Sequence, residues 1–338
     1  MTRAERASSD RVIFQDIVRQ LYLCLAGETG EQKSPPLFVE HLKFICADLE
    51  TKVGHCGKTG RAVKEALLHY LSHPAEAIAE LINPAPTISK LLDRAVGRFE
   101  RFADAPVYTP NERWEECLHQ WIGVRWPCAE LAEFAELWPV VMHCLANKGL
   151  KLGPESFYGW NDGDPELVRA IWCLVRHLKP EVVVETGVGH GVTSRFILEA
   201  MERNGKGRLW SIDLFPVTPE KAAEIGIAVE DRFQARWTLI NGSSRRHLPA
   251  LARELRQIDL FIHDSLHSAR NVCFELSAVR PAMLGGSFCV VDDIDTNQGF
   301  ARFGMTWPEA RQLVCQSKPL RPDERRFDGN GLFGIIRK

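Results

Sequence analysis

From about residue 165 onward, short β-rich runs alternate with helical stretches, and this alternation constrains the fold more than anything else in the chain. The runs are Glu181–Thr186, Arg208–Leu214, Trp237–Ile240, Ile258–His263, Ser287–Asp292 and Leu332–Arg337. Helical patterns at Val192–Arg203, Pro219–Ile225, Arg245–Leu255 and Ala269–Leu284 separate the first five. Alternation of this kind calls for parallel strands joined by crossover helices, an open α/β sheet. Ligands of such sheets bind outside the carboxyl ends of the strands, so the strand ends are where chemistry is expected.

The first half reads differently. Apolar residues recur there at helical spacing, as in Asp10–Ala26, where Ile13, Ile17, Leu21 and Cys24 share a face and Asp10 can cap the N-terminus. Leu37–Thr51, Arg61–Ser72 and Thr87–Ala103 follow suit, and Trp114–Asn147 reads as two helices broken around Pro127. A glycine-rich stretch, Lys148–Asp164, then intervenes. The 338 residues suit two domains of roughly 150 residues each. The expectation is an all-helical domain over 1–150, serving substrate capping or homo-oligomer formation, and an α/β domain over 151–338.

Composition narrows the classes. With 45% hydrophobic residues and 25% charged ones, the chain is neither disordered nor fibrous. Its 42 Lys+Arg against 44 Asp+Glu leave a formal charge of −2, which disfavours nucleic acid as the main partner. Ten cysteines form no C-x-x-C pair, and several lie inside apolar runs, as expected of reduced core thiols. No signal-peptide pattern and no apolar run of about 18 residues is visible, so the expectation is a cytoplasmic protein with no membrane partner.

The first strand enters Glu185-Thr186-Gly187-Val188-Gly189-His190-Gly191 and then a helix. A dinucleotide fingerprint needs a third glycine where Val192 stands, and a Walker loop needs Lys and Ser/Thr where Val192 and Thr193 stand. What remains is an acidic residue, a spacer and G-x-G-x-G. This pattern resembles the first motif of the class I S-adenosylmethionine-dependent methyltransferases, a resemblance that extends over about Pro165–Lys338. It implies a Rossmann-like, mostly parallel seven-stranded sheet with an antiparallel last strand, here formed by a hairpin of Arg325–Asp328 and Leu332–Arg337. It also implies that Glu185, Gly187, Gly189 and Gly191 form a loop for S-adenosylmethionine (SAM). Asp213, closing the second strand, would hold the ribose hydroxyls; Ser243, after the third, would lie near the adenine.

Two later strand ends are acidic: Asp264-Ser265-Leu266-His267 and Asp292-Asp293. Carboxylates gathered on one rim need a cation or hydrogen bonds to compensate their repulsion, and oxygen ligands suit Mg²⁺ or another hard divalent ion. The arrangement resembles the metal-dependent O-methyltransferases of sugars and natural products. That resemblance implies that Asp264, Asp292 and Asp293 bind the metal and that His267 removes a hydroxyl proton. In metal-free relatives the strand-four Asp lies near the cofactor amine, so Asp264 is a candidate for cofactor binding as well as catalysis. The function expected is methyl transfer from SAM to a hydroxyl of a small molecule. The alternatives are a protein or RNA methyltransferase docked by the helical half, and a noncatalytic SAM-binding protein. After strand four the chain lacks the Asn/Asp-Pro-Pro-aromatic tetrad typical of nucleic-acid amino-methylating enzymes.

Other motifs carry less. Gly54-His55-Cys56-Gly57-Lys58-Thr59 lacks the first phosphate-loop glycine and reads as an inter-helix loop. His69 and His73, before Pro74, read as solvated or capping residues. Phe157–Asp162 is either a lid over the cofactor or an anchor for the linker, and Thr306-Trp307-Pro308 either lines an acceptor pocket or starts a helix.

Overall fold

The computed structural model describes residues 108–150, 164–215, 222–317 and 331–338. By compactness the chain divides into 1–82 and 83–338, and all described residues belong to the second unit. The helices expected between Asp10 and Ala103, the motifs at Gly54–Thr59 and His69/His73, the Phe157–Asp162 segment and Arg325–Asp328 lie outside the described residues. So do the first three residues of Pro219–Ile225.

Seven strands form one sheet: β1 (Val182–Thr186), β2 (Arg208–Asp213), β3 (Trp237–Asn241), β4 (Ile258–His263), β5 (Met283–Val291), β6 (Arg311–Gln316) and β7 (Leu332–Arg337). Their order is β3-β2-β1-β4-β5-β7-β6. β1 pairs in parallel with β2 and β4, β2 with β3, and β4 with β5. β7 runs antiparallel to both β5 and β6. The seven-stranded, single-antiparallel sheet expected from the sequence is therefore present. Among the described residues β7 lies between β5 and β6, Arg311–Gln316, a strand not foreseen in the sequence, whereas Arg325–Asp328 lies outside them. The order in which strands are added reverses between β1 and β4, so the crevice at their carboxyl ends is the switch point where ligands of such sheets bind.

The helices are α1 (Trp114–Ile122), α2 (Glu130–Asn147), α3 (Pro165–Leu178), α4 (Val192–Asn204), α5 (Ser244–Leu255), α6 (Ala269–Val279) and α7 (Gly299–Met305). Local signals set their ends. Gly123 closes α1 in the left-handed region. Asp164 Oδ1 caps α3 by accepting from the amides of Glu166 and Leu167 at 2.9 and 3.2 Å, with Pro165 in the first turn. Ser268 Oγ caps α6 from the amide of Asn271. The expected helix Ala269–Leu284 stops at Val279 because Pro281 carries no amide hydrogen, and β5 begins at Met283.

The strands are apolar on both faces, as buried parallel strands must be. Val183, Leu209, Leu260, Ile262, Phe288 and Val290 face one core with α1 to α4, whereas Val184, Ile212, Phe261, Cys289 and Val291 face the other with α5 to α7. Phe134 of α2, Trp172 of α3 and Phe196 of α4 meet with ring centroids 4.9–6.3 Å apart. Each such ring contributes roughly 1.5–3 kcal/mol by its burial. Two helices of the expected N-terminal half, α1 and α2, thus belong to the core on one face of the sheet. Trp307, after α7, is core rather than pocket lining: it is buried among Phe303 and the aliphatic residues of the second face.

Candidate active site

The loop after β1 is built from backbone. Gly187, Gly189 and Gly191 all have positive φ, where side chains with a Cβ are strained. Gly187 also lies against the end of β4, since a Cβ there would fall 1.9 Å from the carbonyl oxygen of Asp264. Behind the loop, Gly226 donates to Gly189 O at 2.9 Å and Ala228 to His190 O at 2.8 Å. Gly191, at the mouth of α4, packs on Gly226 so tightly that a Cβ would come within 2.8 Å of its Cα.

Asp213, the last residue of β2, turns onto this loop. Its Oδ2 accepts from the amides of Val188 at 2.8 Å and Gly189 at 3.0 Å. Burial raises its pKa, the amides of Gly189, Val188 and Leu214 oppose that, and the charge of Asp264 adds to it. Asp213 O in turn accepts from Gly242 N at 2.8 Å, which brings Ser243 beside it as the residue before α5.

Glu185 is placed differently from the other loop residues. It is fully buried beneath the loop, its Oε2 accepting from Ser194 Oγ at 2.6 Å and Ser211 Oγ at 2.7 Å. Ser211 also accepts from Trp237 Nε1 at 2.9 Å. Glu185 Oε1 is buried without a hydrogen-bond partner. Burial pushes the carboxyl up to about 8, over the opposing bonds from Ser194 and Ser211 and with help from the charges of Asp264 and Asp213. At neutral pH it is mostly an uncharged acid that fastens β1, β2 and α4 together.

On the other side of the switch point, Asp264, His267 and Asp292 bring ligand atoms within 4.8 Å of one another. Asp264 Oδ1 lies 3.6 Å from His267 Nε2, and Asp292 N is tied to His263 O at 2.9 Å, holding the two strand ends together. Asp293 is outside that trio; it adopts a left-handed conformation with φ 49° and begins a short 3-10 turn, close enough for its charge to act on His267. Burial disfavours a charged His267, but the hydrogen bond and charge of Asp264 together with the charge of Asp293 prevail and raise it to about 9. Where the sequence suggested three carboxylates, two carboxylates and an imidazole come into closest approach.

A network missed in the sequence supports this rim. Glu275 of α6 is fully buried, and its carboxylate accepts from Thr186 Oγ1 at 2.5 Å, Ser265 Oγ at 2.8 Å and Asn271 Nδ2 at 3.0 Å, and pairs with His263 Nδ1 at 2.6 Å. It joins the ends of β1 and β4 to the segment carrying Asp264 and His267. Burial alone would raise Glu275, yet His263 and the surrounding hydroxyls bring it down to about 2. One signal was available: Val272, Glu275, Leu276 and Val279 share the core-facing stripe of α6, so a carboxylate there must find buried partners.

One comparison covers this rim as a unit. Residues 184–294 match the family model of a methyltransferase domain. The matched segment begins within β1, ends just past Asp293, and contains every residue described above as lining the switch point. This match and the sheet bear out the class I methyltransferase resemblance. No curated protein matches the chain. Among solved structures, an O-methyltransferase of tomaymycin synthesis from Streptomyces achromogenes, in complex with SAM, is 16% identical with a TM-score of 0.43. It covers 59% of this chain and 88% of its own. An O-methyltransferase from Bacillus cereus, in complex with SAH, is 15% identical with a TM-score of 0.44, covering 60% of this chain and 90% of its own.

Proposed function

We propose that the chain transfers a methyl group from SAM to a hydroxyl of a small molecule, assisted by a divalent cation. The observation that carries this reading is the convergence, at one switch point, of an amide-rich glycine loop held by Asp213 and of the Asp264–His267–Asp292 cluster. The residues suit both groups. The charge of Asp264 raises the pKa of both Asp213 and Glu185, so the rim favours a positively charged ligand such as a sulfonium. Asp213 would hold the ribose, the 187–191 loop the rest of the nucleoside side, Ser243 the adenine edge and Asp264 the amino group. Asp264 and Asp292, with Asp293 behind them, would hold a hard divalent ion such as Mg²⁺, which prefers carboxylate oxygen to imidazole.

Bound at this rim, SAM supplies an electrophilic methyl group and the cation supplies charge that makes a nearby hydroxyl more acidic. The chain's own residues do the rest. With bare carboxylates around it, His267 is held as an imidazolium and cannot accept a proton. With those carboxylates engaged by a cation, His267 would be freed of that pull and would return toward the range where it acts as a base. His267 then takes the hydroxyl proton on a ring nitrogen, while the strand ends, fixed through Glu275, keep donor and acceptor in line.

The test is a methyl-transfer assay against a panel of hydroxylated small molecules, read by mass increase. Turnover of at least one acceptor, abolished by chelation and restored by Mg²⁺, is expected. Turnover indifferent to chelator removes the cation from the reading, and transfer confined to protein or RNA replaces the acceptor class.

A further inference from the structure

A second cluster lies at the other edge of the sheet. α3 leads through Leu178–Glu181 into the amino end of β1, so its last turn is on the edge opposite the glycine loop. Three side chains converge there, His119 of α1, Cys128 of the α1–α2 connection and His177 of α3, and Cys173, one turn before His177 on α3, lies against Cys128. His119 Nε2 lies 3.3 Å from Cys128 Sγ, and Cys128 Sγ lies 3.9 Å from Cys173 Sγ. Ligand atoms of His119, Cys128 and His177 are all within 4.8 Å of one another.

The geometry points to a zinc ion held by His119, Cys128, Cys173 and His177, clamping α1 and the α1–α2 connection onto α3. Zinc bound at about 2.3 Å to sulfur and about 2.0–2.1 Å to nitrogen sets tetrahedral edges of roughly 3.8 Å between two sulfurs and 3.6 Å between sulfur and nitrogen. The separations of 3.9 and 3.3 Å approach those edges before any ion draws the groups in. His119 has the orientation of a ligand. Its Nδ1 lies 2.7 Å from the carbonyl of Glu115, which can only accept, so Nδ1 carries the proton and Nε2 presents its lone pair toward Cys128.

His177 Nε2 is buried and makes no hydrogen bond, although Glu130 Oε2 lies 3.3 Å away in ion-pair range. Two sulfurs and two imidazoles are a donor set for zinc rather than for the hard ion of the opposite rim. A Cys128–Cys173 disulfide would engage only the sulfurs and would leave the convergence of two imidazoles on them without a role.

Metal analysis of the full chain, purified without chelator, decides the matter. About one zinc per chain is expected, kept by Asp264→Asn and by Cys144→Ser, and lost from Cys128→Ser and His119→Ala. Cobalt exchanged into the wild type should show tetrahedral absorption with a thiolate charge-transfer band, which the carboxylate rim could not produce. This reading needs no variant to fold. A zinc-free chain whose Cys128 and Cys173 alkylate equally with and without added zinc overturns the proposal. So does a Cys128–Cys173 disulfide in the purified protein, or a cobalt spectrum without a thiolate band.

Discussion

Gly187 rests directly on the backbone of Asp264: an added Cβ would stand 1.9 Å from that carbonyl oxygen. The glycine loop and the strand end bearing Asp264 are therefore one rigid contact across the β1/β4 switch point. Nothing flexible lies between them, because the atoms that would be struck are backbone. Gly187 also has a φ of 84°, so the loop can be drawn this close only by a residue without a side chain.

Gly187→Ala should accordingly disturb the loop more than the helix it precedes. The left-handed backbone alone costs about 1–2 kcal/mol, and the collision adds to it. The expected result is a melting temperature lower by roughly 2–8 °C and an affinity for S-adenosylhomocysteine (SAH) weaker by at least about tenfold, a change of some 1.4 kcal/mol. Unchanged melting and unchanged affinity would show that this contact does not shape the loop.

Glu185→Gln probes the buried acid under the same loop. The wild-type carboxyl is raised from 4.5 to about 8, so its contribution to stability is fully present below pH 4.5. As pH rises from there to about 8, the unfolded chain gives up the proton while the folded one keeps it, and stability falls by about 1.4 kcal/mol per unit. The glutamine variant should show a flatter decline over that window, measured by urea unfolding at several pH values. Parallel curves for the two proteins would mean that Glu185 is ionised in the fold.

Glu275 has the opposite sign. Its pKa is lowered to about 2, so its contribution is present above pH 4.5 and is lost as pH falls through the folded value. Glu275→Gln replaces the buried carboxylate shared by Thr186, Ser265, Asn271 and His263 and leaves part of that set unsatisfied, a loss of about 1–3 kcal/mol at neutral pH. The variant should also lose less stability than the wild type between pH 4.5 and 2. A neutral-pH loss below about 1 kcal/mol would place this network among ordinary hydrogen bonds.

His267→Asn separates a base from a ligand. If His267 is the base, the variant keeps Mg²⁺ affinity, loses about 10²–10⁴-fold in turnover, and no longer shows the acidic limb of the pH profile. If Mg²⁺ affinity and turnover fall together, the imidazole is a ligand and the base lies elsewhere.

How far the fold could be read from sequence depended on the range of each signal. β1 to β4 and β7 were legible to within one residue because apolar runs, glycine turns and helix starts are local. β6 was not: Arg311-Gln312-Leu313-Val314-Cys315-Gln316 is an edge strand whose alternating burial shows only when β7 is beside it. At the site, Asp213, Asp264, His267 and Asp292 were readable because strand ends in a parallel sheet share one rim. The inward turn of Glu185 was hidden, since its partners Ser194 and Ser211 come from α4 and β2. The same holds for His119, Cys128 and Cys173, which lie 9 and 45 residues apart. Cys173 and His177, one turn apart on a helix, were the only local trace of that cluster.

Calorimetric titration of SAH into the full chain tests the central claim most directly. The wild type should bind one equivalent per chain with an affinity in the micromolar range, about −8 kcal/mol. Asp213→Ala should weaken it by at least about tenfold while leaving the melting temperature of the free protein near that of the wild type. Binding that is absent in the wild type, or equal in the two proteins, would contradict a nucleoside cofactor at the β1/β4 switch point.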